Sequence, residues 1–283
     1  MSAEATAVHA PERAPAETPL LELRSVSKLY KTRGLGGGTR ALRDFSLRFE
    51  QEGGTVIALV GESGSGKTTA GRVALGLITP TEGEVFYAGR RLDRLSRQEQ
   101  RRFRREVQAV AQDPYSAFNP FYRVGHIFRL VQRHLGVYAS KAAARSALEE
   151  TLEFVGLGGR DLLSRYPHQL SGGERQRLVL ARALYVRPRI IIADEPVSMV
   201  DASLRLQILE IIERVRAELG ISFLYISHDL STVYQVANDI LVMHQGEVVE
   251  RGHARDVIEK PAHAYTQLLL EATPSPDPSV RWS

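Results

Sequence analysis

The sequence predicts an α/β protein organised on a mostly parallel sheet, and three observations carry that expectation. The apolar runs TVIALVG (55–61), IIIA (190–193) and ISFLYIS (221–227) read as strands buried on both faces, the mark of a parallel sheet. Between the last two runs, Leu204, Ile208, Ile211, Val215 and Leu219 recur at helical spacing, and Gly220 follows as a C-terminal cap. Strand, helix and strand in that order imply a right-handed crossover. The first run opens through a glycine-rich turn onto a helical segment, TTAGRVALGL (68–77).

The remaining elements follow in order. LLELRSVSKLY (20–30) and DFSLRFE (44–50) alternate in polarity, with Phe45, Leu47 and Phe49 on one face, as half-buried strands do. KTRGLGGGTR (31–40) between them reads as a glycine-rich loop. RQEQRRFRRE (97–106) reads as a short helix carrying Arg101, Arg102, Arg104 and Arg105. A solvated face is the ordinary reading of these arginines, and a lipid-phosphate contact is the alternative. Residues 125 to 165 lose the strand signal and read as helical throughout. DILVMHQGEVVERG (239–252) reads as a hairpin turning at Gln245-Gly246. Residues 1–19, rich in Ala, Pro and Glu, and the tail 273–283 are expected to be disordered. No internal repeat is visible.

Composition narrows the function classes. The 283 residues carry a formal net charge of +4, with 32 Arg against 5 Lys. That balance suits an anionic ligand or an acidic membrane face and gives no argument for a nucleic-acid partner. The absence of cysteine excludes disulfides, thiolate metal sites and iron–sulfur clusters, and fits a reducing compartment. No apolar run approaches the roughly 18 residues needed to cross a bilayer. The first residues lack the apolar centre of a secretory signal, so a cytoplasmic location is expected.

GESGSGKTT (61–69) fits the pattern G-x-x-x-x-G-K-[ST] through Gly61, Gly66, Lys67 and Thr68. Glycines let a backbone curl tightly enough for successive N–H groups to converge on phosphate oxygens. The whole stretch, Gly61, Glu62, Ser63, Gly64, Ser65, Gly66, Lys67, Thr68 and Thr69, is therefore the candidate cradle for a nucleotide's phosphates, which the resemblance given below implies are those of ATP. Lys67 is expected on the β- and γ-phosphates and the Thr68 hydroxyl on Mg²⁺. IIIADEP (190–196) delivers Asp194 and Glu195 at the carboxyl end of a buried strand, where open α/β sheets bind ligands. Asp194 is expected to hold Mg²⁺ through water, and Glu195 to orient or deprotonate an attacking water. An acidic pair capping the next helix is the alternative. His228 stands at the end of another buried strand and is expected on the γ-phosphate. Gln112, where VQAVAQDP ends, could touch Mg²⁺ or water.

A second anion site is written at RYPHQLSGGERQRLVL (165–180), where Ser171, Gly172 and Gly173 precede a helical run. LSGGERQR, together with the phosphate loop, IIIADEP and the late histidine, resembles the ATP-binding cassette family, the ATPase subunits of ABC transporters. The likeness extends over roughly residues 20–272. It implies a P-loop NTPase core with an N-terminal antiparallel β subdomain, an α-helical subdomain inserted at about 113–177, and a C-terminal helical extension over 253–272. It also implies a head-to-tail dimer in which Ser171, Gly172, Gly173 and Asp201 face the partner's ATP. Tyr30 would stack on adenine, although a core position is equally open to it. Gln112 would be the glutamine of the loop that reports to the membrane subunit. SMVDAS (198–203) departs from the family's usual SALD, Met199 and Val200 replacing alanine and leucine.

QDPYSAFNPFYRVG (112–125) and KPAHAYTQLLLEATP (260–274) resemble the oligopeptide and dipeptide importer ATPases, with nickel importers close by; Ala264 stands where that group usually has proline. Phe118, Phe121 and Tyr122 would form part of a groove for a helix of the membrane subunit, or else pack as local loop core. The resemblance implies two membrane permeases, a second ATPase subunit (a paralogue rather than an identical chain), and indirectly an external solute-binding protein. The chain would then sit on the cytoplasmic face of the membrane. The different-class alternative, a soluble ABC ATPase acting on ribosomes or DNA, would carry two cassettes or a long coiled coil, and neither is visible. No Asn-Lys-x-Asp motif supports a GTPase, and a kinase would lack the Ser-Gly-Gly signature.

Overall fold

A computed structural model describes residues 18–31, 38–115, 117–159 and 161–272. Nearly all of both tails expected to be disordered, and most of the glycine-rich insert, lie outside the described residues.

Among the described residues the strands form two sheets. The first is antiparallel, in the order β2 (Gly38–Phe49), β1 (Leu21–Lys31), β4 (Glu82–Tyr87), β5 (Arg90–Arg91). The second runs β10 (Glu247–His253), β9 (Asp239–His244), β3 (Val56–Val60), β8 (Ser222–Ser227), β7 (Ile190–Asp194), β6 (Val107–Val110). Its pairs from β9 to β6 are parallel, and only the β9–β10 hairpin is antiparallel. Between the strands lie α1 (Lys67–Ala74), α2 (Arg97–Glu106), α3 (Gly125–Leu135), α4 (Lys141–Phe154), α5 (Gly172–Leu184), α6 (Ala202–Leu219) and α7 (Leu230–Val236), and after the last strand come α8 (Ala254–Glu259) and α9 (Ala264–Glu271).

The continuous apolar runs have a direct physical cause. Side chains of a strand point alternately to opposite faces, and in this sheet both faces are covered. Phe223 and Tyr225 of β8 enter the core shared with the helices, whereas Leu224 and Ile226 enter the core shared with α1 and the antiparallel sheet. Ile191 and Ala193 of β7 likewise part from Ile190 and Ile192. Phe45, Leu47 and Phe49 of β2 are buried in the second core, as their alternation requires. α1 reaches the sheet closely because of Gly71, where a Cβ would stand 2.8 Å from Ile226 Cδ1.

Helix boundaries follow local chemistry. Ser96 and Glu99 form a reciprocal capping box that starts α2. Asp201 accepts the Leu204 N–H and starts α6, and Gly220, at φ 63°, ends it. The β9–β10 turn takes positive φ at both Gln245 and Gly246, the geometry of a tight hairpin.

Two expectations need correction. The segment 125–165 is not helical throughout: α3 ends at Gly136 in a left-handed cap, α4 begins after its N-cap Ser140, and 155–159 and 161–166 are turn and coil. The strand expected at 44–50 begins at Gly38, because β1 continues to Lys31 and pairs with it, Tyr30 opposite Thr39. α5 runs unbroken from Gly172 to Leu184.

The loop before β3 passes against the end of α6, where a Cβ on Gly53 would lie 1.8 Å from the Gly220 carbonyl oxygen. Gly53→Ala is therefore expected to destabilise the chain by about 1–3 kcal/mol, the usual cost of overpacking. Equilibrium denaturant unfolding checks this, and an unchanged midpoint would refute the close approach.

Candidate functional site

Because β3, β8, β7 and β6 are parallel, their carboxyl ends meet at one edge of the sheet. Gly61 follows β3, His228 follows β8, Asp194 closes β7 with Glu195 next to it, and Gln112 lies two residues beyond β6. The fold thus brings together residues spread over more than 160 positions of the chain. They line one cleft of ≈ 610 Å³ with Lys67, Thr68 and Thr69, closed at the side by Leu269 and Ala272 of α9.

The loop 61–66 is held tightly on its outer side. A Cβ on Gly61 would meet the Met243 carbonyl at 2.2 Å, and one on Gly66 the Ala41 carbonyl at 2.2 Å. Gly246 donates its N–H to Ser65 O at 3.0 Å. The loop therefore packs its back against β2 and the β9–β10 hairpin and leaves its concave side open. α1 starts from it at Gly66 without a side-chain cap and without an acidic residue in its first turn. That contrasts with α2, α5 and α6, each capped by its own side chain. An uncapped helix start keeps free N–H groups and partial positive charge, which fits an anion.

Lys67 is buried and donates from Nζ to Gly61 O at 2.7 Å and Glu62 O at 2.8 Å. Burial pulls its pKa down from the ordinary lysine value, opposed by the carboxylates of Glu195, Asp194 and Glu62. The Thr68 hydroxyl donates to Asp194 Oδ1 at 3.4 Å. Burial pushes the Asp194 pKa up; Thr68 opposes the shift and the Glu195 charge adds to it. A threonine hydroxyl and an aspartate are hard oxygen donors of the kind Mg²⁺ takes. Among the described residues no group of three His, Asp or Glu forms a metal cage. The donor set therefore suits an ion completed by phosphate and water rather than by protein.

Glu195 has φ 50°, a left-handed backbone that a non-glycine residue adopts only under constraint. Its N–H donates to Ile226 O at 2.9 Å, and Ser198 donates back to its carbonyl. The side chain is turned onto His228: the His228 backbone N–H reaches Glu195 Oε1 at 3.1 Å, and Nδ1 lies 2.6 Å from the same oxygen. Sequence reasoning missed this latch, because strands β7 and β8 are neighbours only in the folded sheet.

Ser171, Gly172, Gly173 and Asp201 do not line the cleft, and neither does Tyr30. Tyr30 is 40 % exposed, so the core alternative for it falls. Ser171 caps α5, accepting the Glu174 N–H at 3.2 Å while Glu174 accepts the Ser171 N–H at 2.9 Å. A capping hydroxyl still has its own proton to donate outward. Gly172 is exposed with open space where a Cβ would go, whereas Gly173 is buried, its Cβ position 2.6 Å from Leu204 Cδ2. One glycine faces solvent and the other lets α5 pack onto α6. Asp201 is exposed beside them at the start of α6.

Residues 42–198 match the family described as ABC transporter, and residues 249–283 match the oligopeptide/dipeptide transporter C-terminal region. This chain belongs to the ABC transporter family. Among curated proteins the cassette is 40% identical over 265 residues to a Brucella ovis protein provisionally named as a peptide import ATP-binding protein, covering 94% of this chain and 82% of that one. It is 40% identical over 262 residues to a Bacillus subtilis protein provisionally named oligopeptide transport ATP-binding protein, covering 93% and 78%. The glutathione import ATP-binding protein of Salmonella choleraesuis matches at 40% identity over 92% of this chain and 42% of its own length. Among solved structures, the dimeric ATP-binding cassette MJ0796 with ADP and Pi superposes with a TM-score of 0.72 at 28% identity, over 83% of this chain and 99% of that one.

The raised Asp194 pKa has a stability consequence. A carboxyl whose folded pKa exceeds its unfolded value favours folding only while protonated, and that contribution is lost as pH rises through the folded pKa. In Mg²⁺-free and nucleotide-free buffer at pH 7, Asp194→Asn is expected to melt higher than the parent. The gap should close as pH drops below the unfolded value of 3.8. Thermal unfolding at both pH values checks it.

Proposed function

We propose that this chain is the ATP-hydrolysing subunit of an import system that carries peptides through separate membrane permeases. The observation that carries the reading is the cleft at the sheet edge, where an uncapped helix start, Lys67, Thr68, Asp194 and Glu195 converge. The cassette family and the matched oligopeptide/dipeptide C-terminal region support the peptide class, and so do the relatives' names.

In this reading the loop N–H groups and Lys67 hold the triphosphate, and Thr68 and Asp194, with Gln112 at the rim, hold Mg²⁺. Bound there, Mg²⁺ supplies charge neutralisation on the phosphates. Glu195 is the base that orients or deprotonates the attacking water, with its backbone fixed by the strained turn. His228 holds that carboxylate in place and reaches the γ-phosphate from the same strand end. Tyr30, exposed on the antiparallel sheet, stacks on adenine. The Ser171 hydroxyl, Gly172 and Asp201 act on the partner's nucleotide across a head-to-tail dimer, while Gly173 serves the packing that presents them. Loss of the γ-phosphate then removes part of the dimer contact, and hydrolysis becomes an opening stroke.

A second cleft of ≈ 680 Å³ lies between α2, α3 and the end of α1, lined by Leu75, Phe103, Leu130 and Leu135 with Arg104 and Arg182. Its apolar walls and basic rim suit a short helix of a permease lying against the cytoplasmic side of the membrane. Phe118 is buried and acts as loop core, whereas Phe121 and Tyr122 are exposed and remain available to that partner. The second ATPase subunit is read as a paralogue, and an external solute-binding protein as the indirect partner.

Glu195→Gln is expected to cut hydrolysis by about 10²–10⁴-fold, the span a general base supplies. Size-exclusion chromatography with ATP should then reveal a trapped dimer of cassettes; parental turnover would remove Glu195 from the base role. Ser171→Arg should bind ATP as the parent does yet elute as a monomer with ATP present. ATP-driven dimerisation of Ser171→Arg would defeat the site shared between chains.

A further inference from the structure

The phosphate loop is gripped from the C-terminal extension as well as from its own lysine, and both grips fall on one peptide unit. The carbonyl of the Gly61–Glu62 peptide accepts Lys67 Nζ at 2.7 Å, and its N–H donates to the Tyr265 hydroxyl at 3.0 Å. A peptide is planar, with its C=O and N–H pointing oppositely, so whatever directs the N–H directs the C=O. Tyr265 therefore governs the oxygen on which the Lys67 ammonium rests.

Tyr265 is itself well fixed. Its ring lies 4.0 Å from the His244 ring, and His244 Nδ1 lies 3.3 Å from Glu62 Oε1. Its N–H donates to His263 Nδ1 at 3.1 Å. The Glu250 carboxylate on β10 accepts the N–H groups of Ala262 at 2.8 Å and His263 at 3.1 Å, which ties down the turn before α9. Leu269 and Ala272, further along α9, reach the cleft wall itself. The path from β10 through α9 to the loop is continuous.

We infer that Tyr265 is a positioning residue for nucleotide binding, through which the C-terminal extension presets the entry peptide of the phosphate loop and the Lys67 head group. This rests on the reading of 61–69 as the ATP cradle. Tyr265 touches no phosphate; it acts through Glu62. A tyrosine that only packed α9 onto the core would act through its ring, and phenylalanine would replace it without loss.

The test uses the full chain and its Tyr265→Phe variant, which keeps the ring against His244 and removes only the hydroxyl. Calorimetric titration with ATP and with ADP is expected to show affinity weakened about three- to tenfold, the worth of one net hydrogen bond. Hydrogen–deuterium exchange of the nucleotide-free variant is expected to quicken at the Glu62 amide and across 61–67, with β10 unchanged and the melting temperature lowered by no more than the few degrees one hydrogen bond is worth. Parental affinity in Tyr265→Phe overturns the inference. So does an affinity loss without faster exchange at Glu62, or one accompanied by faster exchange throughout α9 and β10. Lys67→Ala separates the two readings. If it binds ATP like the parent, the cradle reading fails; if it loses ATP while Tyr265→Phe keeps full affinity, only the role of Tyr265 fails.

Discussion

Covering a parallel sheet on both faces leaves its strands no solvated side, so polar groups of β3, β7 and β8 can emerge only at their ends. In this chain Phe223 and Tyr225 are taken by one core and Leu224 and Ile226 by the other, Ser227 is still buried, and the first exposed polar residue is His228. The same constraint delivers Asp194 after Ala193, and the phosphate loop after Val60. Chemistry gathers at one edge because nowhere else along these strands can hold a hydrated group. The cleft is a product of how the core is built.

Within that edge, several groups are kept away from their relaxed states. Lys67 is buried with its ammonium spent on two loop carbonyls, and Asp194 has a carboxyl that burial disfavours as an anion. Glu195 sits on a left-handed backbone, stitched there by β8. Natural proteins commonly accept such costs where function requires them. A phosphate beside Lys67 and a divalent cation beside Asp194 would offset the first two costs, whereas the Glu195 backbone is held by the fold itself.

The legibility of the sequence followed interaction range. Runs such as IIIADEP and the heptad-like spacing in α6 announced their structures because burial on two faces, or on one stripe, is a local pattern. Gly220, read as the C-terminal cap of α6, was equally local. The coil at 155–159 and 161–166 was hidden, since apolar residues there (Val155, Leu157, Leu162) are as buried as helical ones and carry no period of their own. The early start of β2 was hidden as well, because Gly38 to Arg43 gain their strand only from pairing with β1. At the site, the motifs gave the residue types, but the Glu195–His228 latch and the Tyr265 contact join positions 33 and 203 residues apart. No spacing rule reports such a distance.

Gly173 has a further consequence. By admitting Leu204 to the flank of α5, it seats the start of that helix directly against the first turn of α6. Arg177 adds a bond of 2.6 Å to Gln207, and Gln176 donates to the Pro196 carbonyl just past Glu195. Ser171 and Asp201 are thus mounted on a single rigid jaw that is also bolted to the strand end bearing this chain's own carboxylates. In a head-to-tail dimer of the kind proposed, Ser171 and Asp201 would be presented together, from a mount that also touches the turn after Glu195.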